Sequence, residues 1–169
     1  MNTGVEVLDV LHDTEVFRGM SEAELAQIAA LCDERYLTAG DEIFPQGSAS
    51  DELYVVASGE VDILLDRSMS SQSEDAGQLT IATIRRGEAF GEIALVDQGI
   101  RSASAQCGLS DTCVLVIKRM AVMALCEAEP VLGYKLMRNL AADLALTIRT
   151  RTTDMQLREW LTWARGQIT

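Results

Sequence analysis

Apolar and polar positions divide the chain into a helical start, a strand-rich middle and a helical end. Residues 4–17 carry apolar side chains at helical spacing, and Ser21 with Glu24 forms a capping box that opens a second helix. The second helix is expected to place four residues on one face: Leu25, Ile28, Ala29 and Cys32. The pattern therefore predicts N-terminal helices over residues 4–33.

Between residues 34 and 118 the helical spacing gives way to short apolar runs separated by glycines. Five strands are predicted in this region, at residues 42–45, 53–57, 61–66, 79–84 and 114–117. Residues 68–77, with the sequence SMSSQSEDAG, are polar and aperiodic, which predicts a loop between two strands. Many short strands joined at glycine turns are typical of a β-sandwich or barrel.

Helical spacing returns in residues 119–166, where we predict the C-terminal helices. A short helix at 119–126 is followed by a longer one that begins at Pro130, and residues 154–165 form a last segment. The longer helix has an apolar residue at every fourth position: Leu132, Leu136, Leu140, Leu144 and Ile148. Burial against the protein's own core and pairing with a helix of a second subunit both explain this stripe.

Length and charge set the broad class. The 169 residues suit a single domain over residues 1–169, and no apolar run approaches the length of a membrane span. The first residues lack the basic and apolar segments of a secretory signal, which predicts a cytoplasmic protein without membrane attachment. The net charge of −12 predicts that the chain does not bind nucleic acid.

The sequence offers little for catalysis. It has four cysteines without a C-x-x-C pair and one histidine, which argues against a zinc site, and no Ser-His-Asp set is recognisable. We therefore expect a protein that is not an enzyme and that needs no metal or cofactor.

Residues 90–104, with the sequence FGEIALVDQGIRSAS, carry the candidate chemistry. Arg101 presents a guanidinium fork that suits a phosphate, and Glu92 can accept a hydrogen bond from a sugar hydroxyl. A short helical turn at Ile93 and Ala94 would offer backbone N–H groups to an anion, and Gly91 allows close approach. Together these groups fit a sugar fused to a phosphate.

This stretch resembles the phosphate-binding cassette of the cyclic nucleotide-binding domain family. That family includes the bacterial cAMP receptor proteins, the regulatory subunits of protein kinase A and the cyclic-nucleotide-gated channels. The matching residues are Phe90, Gly91, Glu92, Ala94, Leu95, Arg101 and Ala103, whereas Ile100 stands where many members carry proline. Residues 40–65 and the FRGMSEAELAQIA segment also resemble the family, so the likeness covers roughly residues 8–150.

The resemblance implies an α+β fold: an antiparallel, jelly-roll-like β-roll over residues 34–118, flanked by N-terminal helices and a long C-terminal helix. It implies cAMP as the ligand, with cGMP as the alternative, and no catalysis. In the bacterial cAMP receptors a threonine on the long helix contacts adenine, and Thr147 lies in register with it. The implied ligand-binding residues are Gly91, Glu92, Ile93, Ala94, Arg101, Ser102, Ala103 and Thr147.

The resemblance also bears on the output of the protein. Only 21 residues follow Ile148, too few for the helix-turn-helix domain of the transcription factors in this family, so we expect a stand-alone sensor. Such a sensor would signal through a ligand-dependent change in helix position and an unidentified protein partner, with a homodimer through the C-terminal helix as a further possibility. The alternative is a ligand-free β-roll that serves as a structural or docking module.

Overall fold

The computed structural model describes residues 6–49, 51–66, 77–97 and 99–166, with the backbone alone for residues 94 and 151–166. Two helices, α1 and α2, lie at the start and are separated by a 3-10 turn; their bounds are Val7–Asp13, Glu22–Ala29 and, for the turn, Glu15–Phe17. Eight strands follow: β1 Cys32–Leu37, β2 Glu42–Phe44, β3 Glu52–Ser58, β4 Glu60–Asp66, β5 Gln78–Arg85, β6 Ala89–Phe90, β7 Ser104–Cys107 and β8 Thr112–Lys118. The remaining helices are α3 Ile93–Val96, α4 Arg119–Ala128 and α5 Pro130–Gly166.

The strands form two four-stranded antiparallel sheets, with orders β1-β8-β3-β6 and β2-β7-β4-β5. The first sheet separates two apolar cores. One core lies between the sheets and contains Val56 and Val114, and the other lies between the first sheet and the helices and contains Val55 and Leu115. The predicted fold class, an α+β β-roll flanked by N-terminal helices and a long C-terminal helix, is confirmed.

The N-terminal helices are shorter than predicted. The first was expected over residues 4–17, but α1 ends at Asp13 because the next residue, Thr14, takes an extended conformation. The Thr14 hydroxyl donates to the carbonyl oxygen of Val10 at 2.7 Å, and the chain then turns into the separate 3-10 segment. Residues 1–5 lie outside the described residues.

The second helix ends earlier and the β-roll begins earlier than the predicted boundary at residues 33 and 34. The capping box of Ser21 and Glu24 is confirmed, but α2 ends at Ala29. Cys32, which we expected on a face of that helix, instead begins β1 and pairs with Ile117 of β8. The extended pairing with a buried strand overrides the helical spacing.

The C-terminal helices also differ from the prediction in their extent. The short helix α4 reaches Ala128 rather than residue 126, and α5 runs without a break through the segment that we predicted separately at 154–165. The predicted loop at 68–77 lies outside the described residues, except Gly77.

The apolar stripe of α5 changes its surroundings along the helix. Leu132, Leu136 and Leu140 are buried in the core between sheet and helices, whereas Ile148 is 65% exposed. A spacing of four residues drifts by about 40° per step around a helix with 3.6 residues per turn, or about 160° from Leu132 to Ile148. The first half of the stripe therefore belongs to the chain's own core, and the second half turns towards the mouth of the β-roll.

Candidate functional site

A cleft of about 710 Å³ lies between the β-roll and α5, a volume typical of small-molecule sites. Its walls come from β2, β4, β5 and β6, from the segment 91–103 and from one face of α5. The lining residues are Phe44, Ile63, Ile81, Ala82, Ile84, Ala89, Phe90, Gly91, Glu92, Ile93, Asp97, Ile100, Arg101, Ser102, Ala103, Asp143, Leu144, Thr147 and Ile148.

Arg101 is the basic residue of this cleft, and it is 6% exposed. Its Nη1 donates to the carbonyl oxygen of Gly91 at 3.3 Å, and its Nη2 donates to the carbonyl oxygen of Glu52 at 2.8 Å. Its Nε is buried without a hydrogen-bond partner. A buried donor without a partner typically costs about 1–3 kcal/mol, so the side chain is poised to receive an acceptor.

The surroundings of Arg101 combine apolar contact with nearby negative charge. Its guanidinium carbon lies 4.0 Å from the ring centroid of Phe44 and 5.5 Å from that of Tyr54. Burial lowers the pKa of Arg101, while the nearby Tyr54 hydroxyl and the carboxylates of Glu52, Asp51 and Glu92 act in the opposite direction. Because removal from water is the larger influence, an anion in the cleft would stabilise the charged guanidinium.

The backbone of Arg101 is anchored to the turn between β2 and β3. Its N–H donates to the Ser48 carbonyl at 2.9 Å, and its carbonyl accepts from the Gly47 N–H at 2.8 Å. An isolated antiparallel bridge between Ala49 and Ile100 lies beside these bonds. The turn therefore fixes where the guanidinium enters the cleft.

Gly91 has a positive φ of 73°, which favours glycine. A Cβ at this position would lie 2.5 Å from Nη1 of Arg101 and 3.3 Å from the carbonyl oxygen of Glu52. Glycine is required here both for the backbone conformation and for the close approach of the guanidinium.

The helix α3 begins at Ile93, two residues after Gly91, and has Glu92 as its N-cap residue. Ile93 and Ala94 form its first turn, so their N–H groups face the N-terminal end of the helix, where no preceding turn supplies acceptors. Glu92 is half-buried and Ile93 is exposed, and both line the cleft. The Ala94 side chain lies outside the described part.

Seven of the eight predicted ligand-binding residues line one cleft: Gly91, Glu92, Ile93, Arg101, Ser102, Ala103 and Thr147. Ser102 is exposed next to Arg101, while Ala103 is buried. Thr147 is exposed on the face of α5 that covers the cleft. The structure thus brings residues of the 90–104 stretch together with a residue more than 40 positions further along the chain.

Several lining residues were missed by sequence reasoning. Ile63, Ile84 and Phe44 supply an apolar wall, and Asp143 adds a carboxylate on α5. The apolar residues carried a signal as strand positions, but strand periodicity does not show which of them reach the open end of the roll. Asp143 lies one turn before Thr147, so its position follows from placing Thr147 in the site.

Among the described residues, no group of three or more His, Cys, Asp or Glu side chains is arranged to hold a metal ion. Within the same part of the chain, no helix is both long and apolar enough to cross a membrane.

Residues 34–129 match the family model described as the cyclic nucleotide-binding domain. This match covers the whole β-roll except the first residues of β1, together with α3 and α4. It includes every predicted ligand-binding residue except Thr147.

Individual proteins show the same likeness. The cyclic AMP receptor protein of Thermus thermophilus is 34% identical over 143 residues, which are 84% of this chain and 61% of that protein. The human cGMP-dependent protein kinase 2 is 30% identical over 109 residues, which are 64% of this chain and 14% of the kinase. The chain therefore spans about three fifths of the first relative and a small part of the second.

A solved structure of the Thermus thermophilus catabolite activator protein superposes with a TM-score of 0.72 at 32% identity, covering 86% of this chain and 63% of that one. The N-terminal domain of a transcriptional regulator from Streptomyces coelicolor superposes with a TM-score of 0.71 at 27% identity, covering 82% of this chain and 94% of that domain.

Proposed function

The chain belongs to the cyclic nucleotide-binding domain family, and from this premise we propose that it is a receptor for a cyclic nucleotide monophosphate, with cAMP as the preferred ligand. The nucleotide occupies the cleft between the β-roll and α5. Its cyclic phosphate lies at Arg101, and its base lies towards α5.

The observation that carries this proposal is the state of Arg101. A buried guanidinium with an unpartnered Nε, held by two backbone carbonyls at the edge of a cleft, supports a bound anion as its missing partner. Of the described residues that line the cleft, Arg101 alone is basic, whereas Glu92, Asp97 and Asp143 are acidic. The single guanidinium can pair with a ligand that carries one negative charge, such as a cyclic phosphodiester.

The other groups complete a phosphate and ribose site. The N–H groups of Ile93 and Ala94 and the hydroxyl of Ser102 supply further donors to the phosphate oxygens. Ala103 is small and buried, which leaves room for the cyclic phosphate. The Glu92 carboxylate accepts a hydrogen bond from the ribose 2′-hydroxyl, which favours ribonucleotides over 2′-deoxyribonucleotides.

The preference for cAMP rests on Thr147 and on the cyclic AMP receptor protein among the relatives. The Thr147 hydroxyl can accept from the exocyclic amine of adenine, while Ile63 and Ile84 of the cleft wall pack on the base. The second candidate is cGMP, which is favoured by the match to the cGMP-dependent protein kinase and by Asp143, a carboxylate suited to the N–H donors of guanine.

A ligand-free docking module is the alternative function. It explains the fold, but it does not explain why a charged side chain that is 94% buried keeps a donor without a partner. The receptor proposal accounts for this donor, and it requires no catalytic step.

The output of the receptor passes through α5. Nucleotide contacts at Thr147 favour a position of the helix over the cleft, and this change alters a contact with a protein partner or with a second copy of the chain. The exposed apolar residues Leu146 and Ile148 lie on that part of the helix. The net charge of −12 argues against nucleic acid or an anionic membrane as the partner.

Thermal unfolding with added nucleotides tests the proposal. At a ligand concentration of 100 times the Kd, binding stabilises the folded state by about 2.7 kcal/mol. We expect cAMP to raise the midpoint of thermal unfolding most and cGMP to raise it less. At the same concentration, 5′-AMP should change it little. A midpoint unchanged by both cyclic nucleotides at millimolar concentration would support the ligand-free module instead.

A further inference from the structure

Among the aromatic side chains that the structure describes, Phe44 lies nearest to the guanidinium of Arg101. The guanidinium carbon lies 4.0 Å from its ring centroid, against 5.5 Å for Tyr54. At that distance the ring covers part of the guanidinium, whose N–H donors all lie in its own plane.

The strand that carries Phe44 has an irregular register. Ile43 and Phe44 are consecutive, yet both pack against the core between the sheets, which a regular strand with alternating side chains does not allow. The pairing of β2 with β7 shifts between Glu42 and Phe44, and such a shift changes the direction of a side chain. The ring of Phe44 thereby reaches both the core and the cleft.

Phe44 is itself held by other aromatic rings. Its centroid lies 5.5 Å from that of Tyr54 and 6.1 Å from that of Phe90, and the latter two rings stack at 5.0 Å. The Tyr54 hydroxyl donates to the Glu52 carboxylate at 2.5 Å, and the Glu52 backbone carbonyl accepts from Arg101. The ring and the backbone acceptor that orient Arg101 are therefore parts of one packed cluster.

We propose that Phe44 is a positioning residue for Arg101: its ring holds the guanidinium against the Gly91 and Glu52 carbonyls and leaves Nε as the donor for a ligand. This inference rests on the proposed function for its consequence, tighter nucleotide binding. The position that this inference predicts for the Arg101 side chain does not depend on a bound nucleotide. The carbonyl acceptors of Gly91 and Glu52 hold the two terminal nitrogens, and the ring packs 4.0 Å from the guanidinium carbon.

The experiment compares Phe44→Leu, which removes the aromatic face, with Phe44→Tyr, which keeps it. The first readout needs no ligand: the NMR signal of the Arg101 Nε–H, assigned by its loss in Arg101→Gln. We expect a protected signal, displaced by the ring current, in the wild type and in Phe44→Tyr. In Phe44→Leu we expect this signal to move towards those of exposed arginines and to exchange faster with water.

The second readout is calorimetric titration with cAMP. Phe44→Leu is expected to weaken binding on the order of 5- to 30-fold, while Phe44→Tyr stays within about threefold of the wild type. In the Arg101→Gln background, Phe44→Leu should change the affinity by less than about twofold, because the ring then has no guanidinium to position. Ile43→Val is the matched control, because it trims the same strand and core and is expected to leave both readouts unchanged.

The two proposals fail in different ways. An Arg101 Nε–H signal that is the same in the wild type and in Phe44→Leu overturns the positioning role, whatever the nucleotide affinities are. An equal loss of affinity on Phe44→Leu with and without Arg101 also overturns it, since the ring would then act on the ligand directly. A signal that depends on Phe44 in a protein that binds no cyclic nucleotide would uphold the positioning role and contradict the proposed function.

Discussion

Arg101 and Gly91 depend on each other at the scale of single residues. The guanidinium can reach the Gly91 carbonyl because no Cβ occupies the space 2.5 Å from Nη1. Gly91, Glu92 and Arg101 could be recognised in the sequence by their residue types and their spacing. The aromatic support from Phe44 could not, because it depends on a register shift between two strands distant in sequence.

Gly91→Ala should therefore lower both stability and nucleotide affinity. The positive φ costs an alanine about 1 kcal/mol of folding free energy, and the new methyl group also displaces the guanidinium. Gly40→Ala is the matched control, because Gly40 has a φ of 91° and a Cβ there meets nothing within 4 Å. We expect similar strain in both variants, measured by urea unfolding, but a loss of cAMP affinity in Gly91→Ala alone. Equal affinities in the two variants would separate Gly91 from the ligand site.

Glu92→Ala should reduce the preference for ribose. Loss of a hydrogen bond to a charged acceptor costs about 1.5–3 kcal/mol, and a ligand that lacks the 2′-hydroxyl does not make that bond. In calorimetric titrations the wild type should therefore bind cAMP more tightly than 2′-deoxy-cAMP, and Glu92→Ala should bind the two about equally. A preference that survives in Glu92→Ala would mean that another group accepts from the hydroxyl.

At the scale of elements, the pattern of apolar residues gave good predictions where a strand is long and buried. The strands β3 and β8 form the centre of the first sheet, and their apolar runs mark them in the sequence. In contrast, β1 carries mostly exposed side chains at the edge of its sheet, and β7 has the short sequence SAQC. Their strand conformation comes from pairing with distant partners, which local periodicity does not report.

The helix α5 is expected to respond to nucleotide. Hydrogen exchange should slow in residues 140–150 and in residues 90–104 when cAMP is added, because the ligand contacts both walls of the cleft. Thr147→Ala should reduce the protection of the helix more than that of the 90–104 segment. If the 90–104 segment alone becomes protected, α5 is a core or dimer element and does not cover the ligand.

An ion pair joins the N-terminal part of α5 to α2. Lys135 Nζ lies 2.7 Å from Oε2 and 2.9 Å from Oε1 of Glu24. This contact, followed by the hydrogen bond from the Ser21 backbone, holds the pKa of Glu24 below its ordinary value of 4.5. A lowered folded-state pKa means that the stabilisation is present above pH 4.5 and is lost as the pH falls through the folded-state pKa.

Glu24→Gln should reproduce this loss at neutral pH while the glutamine keeps the capping box. We expect the free energy of unfolding to fall by about 0.5–1 kcal/mol at pH 7, since both side chains are partly exposed to solvent. The difference from the wild type should shrink below pH 4.5. Glu22→Gln on the same helical turn is the control, and urea unfolding across pH is the measurement. A difference that does not change with pH would assign the effect to packing.

For the whole molecule, the described fold places one buried arginine, Arg101, in the cleft between the β-roll and a long helix. The chain around it carries a net charge of −12. The acidic surface disfavours anions in general, so an anionic ligand must obtain its binding energy inside the cleft. The 90–104 stretch and its resemblance to the family predicted the residues of this site on the β-roll, and the resemblance alone suggested Thr147. The position of α5 over it required the fold, because the spacing of the apolar stripe fits either the chain's own core or a second subunit.

Calorimetric titration of the wild type and Arg101→Ala with cAMP, side by side, tests the central claim most directly. Arg86→Ala is the matched control, because it removes one exposed positive charge from the turn after β5, outside the residues that line the cleft. We expect saturable binding in the wild type and in Arg86→Ala, and a loss of about 2–5 kcal/mol of binding free energy in Arg101→Ala. Wild-type protein that binds no cAMP, or an Arg101→Ala variant that binds it as tightly as the wild type, would contradict the account.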